Sequence, residues 1–164
     1  MMDFTGKVFI VTGASSGIGL SCAEQIIALG GRVIGVDKNA TDVDNDAFEY
    51  SVISVTDERA IENLVNIVTD KYGHIDGLVN AAGIWGSSKP FYEMNSEAFQ
   101  NVLDVNTKGM FLMSKYVART MISQKRGKIV NISCIRASIF RNNMVDYAAS
   151  KGAVVSMTSA MALD

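Results

Sequence analysis

The chain of 164 residues carries 15 basic and 17 acidic side chains, a net charge of −2, with 48% hydrophobic and 20% charged residues. That is enough chain to bury one core, and too balanced a charge for disorder or a broad nucleic-acid footprint. No apolar run approaches the roughly 20 residues that span a bilayer, no basic-then-apolar leader opens the chain, and two cysteines make no disulfide framework, so a reduced, cytoplasmic protein without membrane or nucleic-acid partners is expected.

Short apolar runs alternate with longer periodic segments. Residues 7–12 (KVFIVT) read as a buried strand, and 17–29 as a helix through Ile18, Cys22, Ile26 and Leu29, stopped by Gly30 and Gly31. A second strand follows at 32–37 and a weaker third at 50–55. A helix over 57–71 puts Ile61, Leu64, Val65 and Val68 on one face, with Thr56 as its expected N-cap. Residues 75–80 form a fourth strand, 96–103 and 107–124 two helices, and 128–133 a fifth strand. From Val145 the chain reads as helical to its last residue. Near-continuous apolar strands between amphipathic helices indicate an α/β fold, a doubly wound parallel sheet of Rossmann type, in one domain spanning 1–164.

Residues 12–19 read T-G-A-S-S-G-I-G, directly after the first strand and opening the first helix. In that context Gly13 permits the turn, Gly17 lets a pyrophosphate approach the backbone, and Gly19 lets the helix pack. Amides of Ser15, Ser16 and Ile18 and the positive helix end face the phosphates. A βα turn that needs glycine only for geometry shows the same letters. Asp37, which ends the second strand 18 residues after Gly19, points to dinucleotide binding. A carboxylate there accepts ribose hydroxyls and repels a 2′-phosphate, so NAD is favoured over NADP, with Lys38 softening the preference.

Tyr147 and Lys151 lie one turn apart on the last helix. A phenol with pKa near 10 must fall by roughly 4 kcal/mol to work near neutrality, which an ammonium in a partly dry site supplies. A solvated helix face shows such a pair equally well. One histidine, His74, and two cysteines are too few for a structural zinc site, so no metal is expected.

Together these residues resemble the short-chain dehydrogenase/reductases. The resemblance runs through T-G-A-S-S-G-I-G, N-A-A-G at 80–83, V-N-T-K-G at 105–109, I-V-N-I-S-C at 129–134 and Y-A-A-S-K at 147–151. It implies an NAD(P)-dependent oxidoreductase that interconverts a small secondary alcohol and a ketone. Tyr147 is then the general acid/base, Lys151 lowers its pKa and holds the nicotinamide ribose, and Asn106 supports a water-linked relay to the lysine. Asn80, Ala81 and Gly83 flank the cofactor, and Val55 packs on its adenine. The resemblance also implies a homo-oligomer packed through the last two helices, where Met110, Phe111, Met113, Met121, Val154, Met157 and Met161 otherwise read as core.

Three departures qualify this reading. The family's catalytic serine, 13 residues before the tyrosine, is Cys134 here; Ser133 is expected to face the other way. A thiol donates weakly, so altered catalysis, a catalytically weak NAD-binding relative, or a non-catalytic interaction subunit are the alternatives, and Cys134 also reads as a tolerated small residue. Ser54 replaces an acid that often contacts adenine. Finally, the chain stops at Asp164 inside the helix that carries Tyr147, whereas the family continues with further strands. A C-terminally incomplete domain with an open, apolar fifth strand is expected, its substrate unspecified.

Overall fold

A computed structural model describes residues 2–164. Five strands, β1 (Val8–Thr12), β2 (Arg32–Asp37), β3 (Phe48–Val52), β4 (Gly77–Asn80) and β5 (Lys128–Asn131), form one parallel sheet in the order β3-β2-β1-β4-β5. The helices are α1 (Gly17–Ala28), α2 (Glu58–Tyr72), α3 (Ser96–Leu103), α4 (Met110–Ser123) and α5 (Val145–Met161). The sheet is built outward from β1 in both directions, so the chain reverses its direction of winding there. In open α/β sheets the crevice at such a switch, beyond the carboxyl ends of the strands, is where ligands bind.

Alternation along the strands divides the core in two. Val8 and Ile10 of β1, with Ile34, Val36 and Leu78, meet the apolar stripe of α2 and Leu112, Met113 and Val117 of α4. Val11 and Val33 face the opposite way, toward Ala23 and Ile26 of α1 and Phe48. Each such buried aliphatic contributes on the order of 1.5–3 kcal/mol. Met110, Met113, Met121 and Val154 are buried within the chain, so part of the methionine stripe is core, while Phe111 and Val155 remain exposed on the outer faces of α4 and α5. β5 lies at the sheet edge with Val130 51% exposed. Among the described residues no helix is long and apolar enough to cross a membrane.

Several boundaries differ from the expectation. β3 starts earlier and ends at Val52, because its ladder with β2 stops at Asp37, leaving Ser54 and Val55 in the loop beyond it. The cap of α2 is Asp57, whose carboxylate accepts from the Ala60 amide at 3.0 Å, while Thr56 bonds Ser54 instead. The predicted break between 103 and 107 is a π turn, Asp104–Gly109, that joins α3 to α4 without interruption. α5 ends at Met161, short of the last residue. The His74 ring lies 3.1 Å from both the Gly6 carbonyl and Asp76 at the opposite end of the sheet.

Candidate active site

The glycine turn leaves β1 and enters α1 beneath a cavity of about 320 Å³. Ser15, Ser16, Gly17, Ile18 and Gly19 form one wall. Gly17 has φ +55° and nothing within 4 Å of where a side chain would start, so the backbone lies open to the cavity. Gly19 is packed differently: a Cβ there would collide with the carbonyls of Gly13 and of Thr12 at the end of β1, so glycine lets the first turn of α1 close on the strand end. The first turn of α1 carries no acidic side chain and Ser16 makes no side-chain cap, which leaves its amides for an anion. These features fit a pyrophosphate.

Asp37, Lys38 and Asn39 line the far end. One Asp37 oxygen accepts from the Ser15 hydroxyl at 2.8 Å and amide at 3.3 Å, the other from the Asn39 amide at 3.0 Å. This holds the carboxylate facing the turn, where ribose hydroxyls would compete with Ser15. The β2–β3 connection carries no helix. Val55 lines the cavity with Ser54, Ile53 and Val105.

The third wall is the loop after β4, formed by Ala81, Ala82, Gly83 and Ile84. Thr12, buried at the end of β1, accepts from the amides of Ala81 and Ala82 at 3.1 Å each, and so ties this loop to the glycine turn. Asn80 lies at the end of β4, behind the cavity walls. Its amide turns inward and donates to Ser114 at 3.0 Å and Asn131 at 2.8 Å, joining β4 to α4 and β5. Asn106 is likewise occupied. From the π turn it accepts from the Ile84 amide at 2.8 Å and donates to the Ile84 carbonyl and Ser150, both at 3.0 Å.

Lys151 is 6% exposed, and its Nζ donates to the Ile132 carbonyl at 2.9 Å. It stands 5.9 Å from the Tyr147 ring centre, and a Cβ on Gly83 would lie 3.6 Å from its Nζ. The lysine is thus at the inner end of the cavity. Burial pulls its pKa down, against the opposing pull of Cys134. Burial and a hydrogen bond with Cys134 push the Tyr147 phenol up, the reverse of the direction expected from the Tyr–Lys spacing. A cation bound beside the pair is what would restore it. Cys134 itself is shifted down, first by the Arg136 amide, with Tyr147, Arg136 and Lys151 adding to that against burial. Ser133 donates to the Lys151 carbonyl at 2.9 Å, so it faces α5, as the register requires.

Because burial lowers the pKa of Lys151, its protonated form destabilises the fold at all pH values below the folded pKa, and the cost fades toward 10.5. Lys151→Met should therefore raise the thermal midpoint at pH 7 by about 2–4 °C, measured by circular dichroism.

Two contacts around Tyr147 were invisible in the sequence. Trp85 stacks on its ring with centroids 4.7 Å apart, and Asp146, fully buried, holds the loop that carries Trp85. Neither has a motif; Trp85 is marked only by its loop beyond a strand's carboxyl end, where open α/β sheets bind ligands, and Asp146 only by its place next to the tyrosine.

A family model described as short chain dehydrogenase matches residues 7–164. A 3-oxoacyl-(acyl-carrier-protein) reductase of Vibrio cholerae is 32% identical over 98% of this chain and 68% of its own length. An L-fucose dehydrogenase of Mus musculus is 33% identical over 98% and 60%. Among solved structures, an NAD+-bound xylitol dehydrogenase superposes with TM-score 0.90 at 34% identity, covering 98% of this chain and 65% of that one. An aldohexose dehydrogenase of Thermoplasma acidophilum gives the same score and identity over 98% and 62%. The chain therefore spans roughly two thirds of the length of such relatives. The family match covers nearly the whole chain, and the chain belongs to the short-chain dehydrogenase family.

Proposed function

We propose that this chain forms the dinucleotide-binding and catalytic domain, 1–164, of an oxidoreductase that interconverts a secondary alcohol and a ketone with a nicotinamide cofactor, NAD in preference to NADP. The carrying observation is that a Cβ on Gly83, a residue of the cavity wall, would lie 3.6 Å from Lys151 Nζ, so the Tyr147–Lys151 pair adjoins the wall of the cavity opened by the glycine turn. Gly13, Ser15, Ser16, Gly17, Ile18 and Gly19 would hold the pyrophosphate, Asp37 the adenosine ribose, Val55 the adenine, and Ala81, Gly83, Tyr147 and Lys151 the nicotinamide side. When bound, the cofactor supplies hydride transfer at the substrate carbon.

Tyr147 passes a proton to or from the substrate oxygen, and Lys151 stabilises the phenolate. Cys134 occupies the position from which a hydroxyl would donate to that oxygen; its depressed pKa favours a weaker enzyme over a non-catalytic subunit, because the acid/base pair is intact beside it. The relatives act on a sugar, a polyol and an acyl-carrier thioester, which leaves the substrate open within the alcohol and ketone class. A cytoplasmic homo-oligomer belongs to the same reading, supported by exposed Phe111 and Val155 on α4 and α5.

The test is titration with NADH and NADPH, followed by turnover on a panel of alcohols and ketones. NADH should bind more tightly. Asp37→Asn should shift the NADP/NAD ratio of kcat/KM toward NADP by about tenfold, the factor that about 1.4 kcal/mol of relieved repulsion produces. An unchanged ratio would remove Asp37 from the ribose site. No turnover by either cofactor in a folded protein that binds NADH would leave a binding module.

A further inference from the structure

Asp146 is the only acidic side chain with no exposure at all among the buried polar residues. No lysine or arginine pairs with it among the described residues. Its two oxygens take separate main-chain donors. One accepts from the amide of Tyr147 and the other from the amide of Ser87, both at 2.7 Å. The first bond seats the carboxylate in the opening turn of α5, where the helix dipole favours it. The second reaches 59 residues back to the loop after β4. The fit is tight, since a Cβ on Gly86 would collide with the carboxylate.

One residue before Gly86 is Trp85. Its ring lies on that of Tyr147 at 33° between planes, and its Nε1 donates to Ser88 at 3.2 Å. The ring is 59% exposed, and with Ser88, Arg141, Asn142, Asn143 and Met144 it borders a hollow of about 600 Å³. Trp85 therefore stands between the tyrosine and that hollow.

We propose that Asp146 is a positioning residue, which clamps the Trp85 loop against Tyr147 so that Trp85 fixes the phenol and forms the wall against which substrate is held. This rests on Tyr147 as the proton-transferring group. The clamp requires a group that only accepts. An ionised carboxylate serves two amides with charge-assisted bonds, whereas an asparagine has one accepting oxygen and turns an NH2 toward the second amide. The aspartate and asparagine forms are nearly equal in size, so the difference between them reads the bonding and not the volume.

Trp85 is the only tryptophan in the chain, so its fluorescence reports the loop directly. The experiment compares the full chain with Asp146→Asn, Asp146→Ala and Gly86→Ala, each confirmed as folded by circular dichroism. Acrylamide quenching of Trp85, kcat, substrate KM and NADH affinity are then measured. Asp146→Ala and Gly86→Ala should raise the quenching constant at least about twofold and lower kcat by about ten- to a hundredfold, the range for a misplaced catalytic group. NADH affinity should stay within about twofold, and Asp146→Asn should fall between. Should the alanine at 146 not fold, Gly86→Ala delivers the same displacement with the carboxylate kept. Unchanged quenching in the folded variants overturns the clamp, and raised quenching with unchanged kcat overturns its role in positioning. If the parent chain turns nothing over, the functional reading fails by itself, while the quenching still decides whether Asp146 holds Trp85.

Discussion

Tyr147→Phe should lower kcat by about 10³-fold, within the range that a positioned proton donor contributes, while cofactor affinity moves by less than about threefold. The asymmetry follows from where the phenol sits. Cys134 acts on the phenol and raises its pKa, whereas the phosphate and ribose walls are built from the glycine turn, Asp37 and the loop after β4. The ring contact with Trp85 survives in phenylalanine, so the variant removes the proton and little else. The pH profile gives a second reading. Alcohol oxidation needs the phenolate, and burial together with Cys134 raises the phenol above its ordinary 10.0. The oxidation rate should therefore climb with pH throughout the neutral range, and the climb should be absent in Tyr147→Phe. Steady-state rates across pH, with NADH titration as control, check both. A variant that keeps more than a tenth of the parental kcat would remove Tyr147 from the proton transfer.

Cys134→Ser should raise turnover by about 10- to 100-fold, part of the 10²–10³ that a full hydrogen-bond donor to a developing oxyanion supplies. The direction of the thiol shift makes the argument stronger than the loss of a donor. The Arg136 amide, Tyr147, Arg136 and Lys151 hold the thiol below its ordinary 9.0 despite burial. The sign is then fixed. Below the thiol pKa the group donates weakly; above it a thiolate faces the oxygen on which negative charge develops, and ketone reduction falls. The serine variant should lose this descending limb and keep its rate to higher pH. Loss of the thiolate also removes the negative charge that raises Tyr147, so the oxidation profile should move to lower pH in the same variant. Initial rates of both directions from neutral to alkaline pH test this. If Cys134→Ser leaves both profiles and kcat in place, the thiol is a passive small residue and the missing hydroxyl is irrelevant to the chemistry.

These two effects would be masked in a chain whose acid/base pair lay apart from its cofactor turn. Here three connections hold the assembly: Thr12 to the loop after β4, Asn106 to Ile84 and Ser150, and Lys151 to Ile132. Each joins a residue at the end of a strand or in the π turn to a neighbour distant in sequence. Together they make the crevice at the β1–β4 switch a single site.

What the amino-acid order determined by itself is everything decided within a few residues. The apolar alternation specifies the strands, the i, i+3, i+4 spacing of Ile61, Leu64, Val65 and Val68 specifies the buried face of α2, and Gly17 specifies a turn that must reach φ +55°. Those signals are local because they depend on backbone conformation and on which face a side chain leaves by. The same reasoning placed Ser133 away from Cys134. It misjudged the β3 boundary because ladder length depends on β2, and it read a break at 103–107 because a π turn looks like an interruption to a 3.6-residue period. Tertiary structure alone decided the strand order, the inward turn of Asn80, the capture of the Asn106 side chain by Ile84 and Ser150, and the Asp146 clamp on Trp85. It also reversed the pKa direction expected for Tyr147. The reason is common to all of them: hydrogen-bond partners 22 to 59 residues away and exclusion of water set both where a polar side chain points and which of its charge states is favoured, and neither is written in the letters beside it.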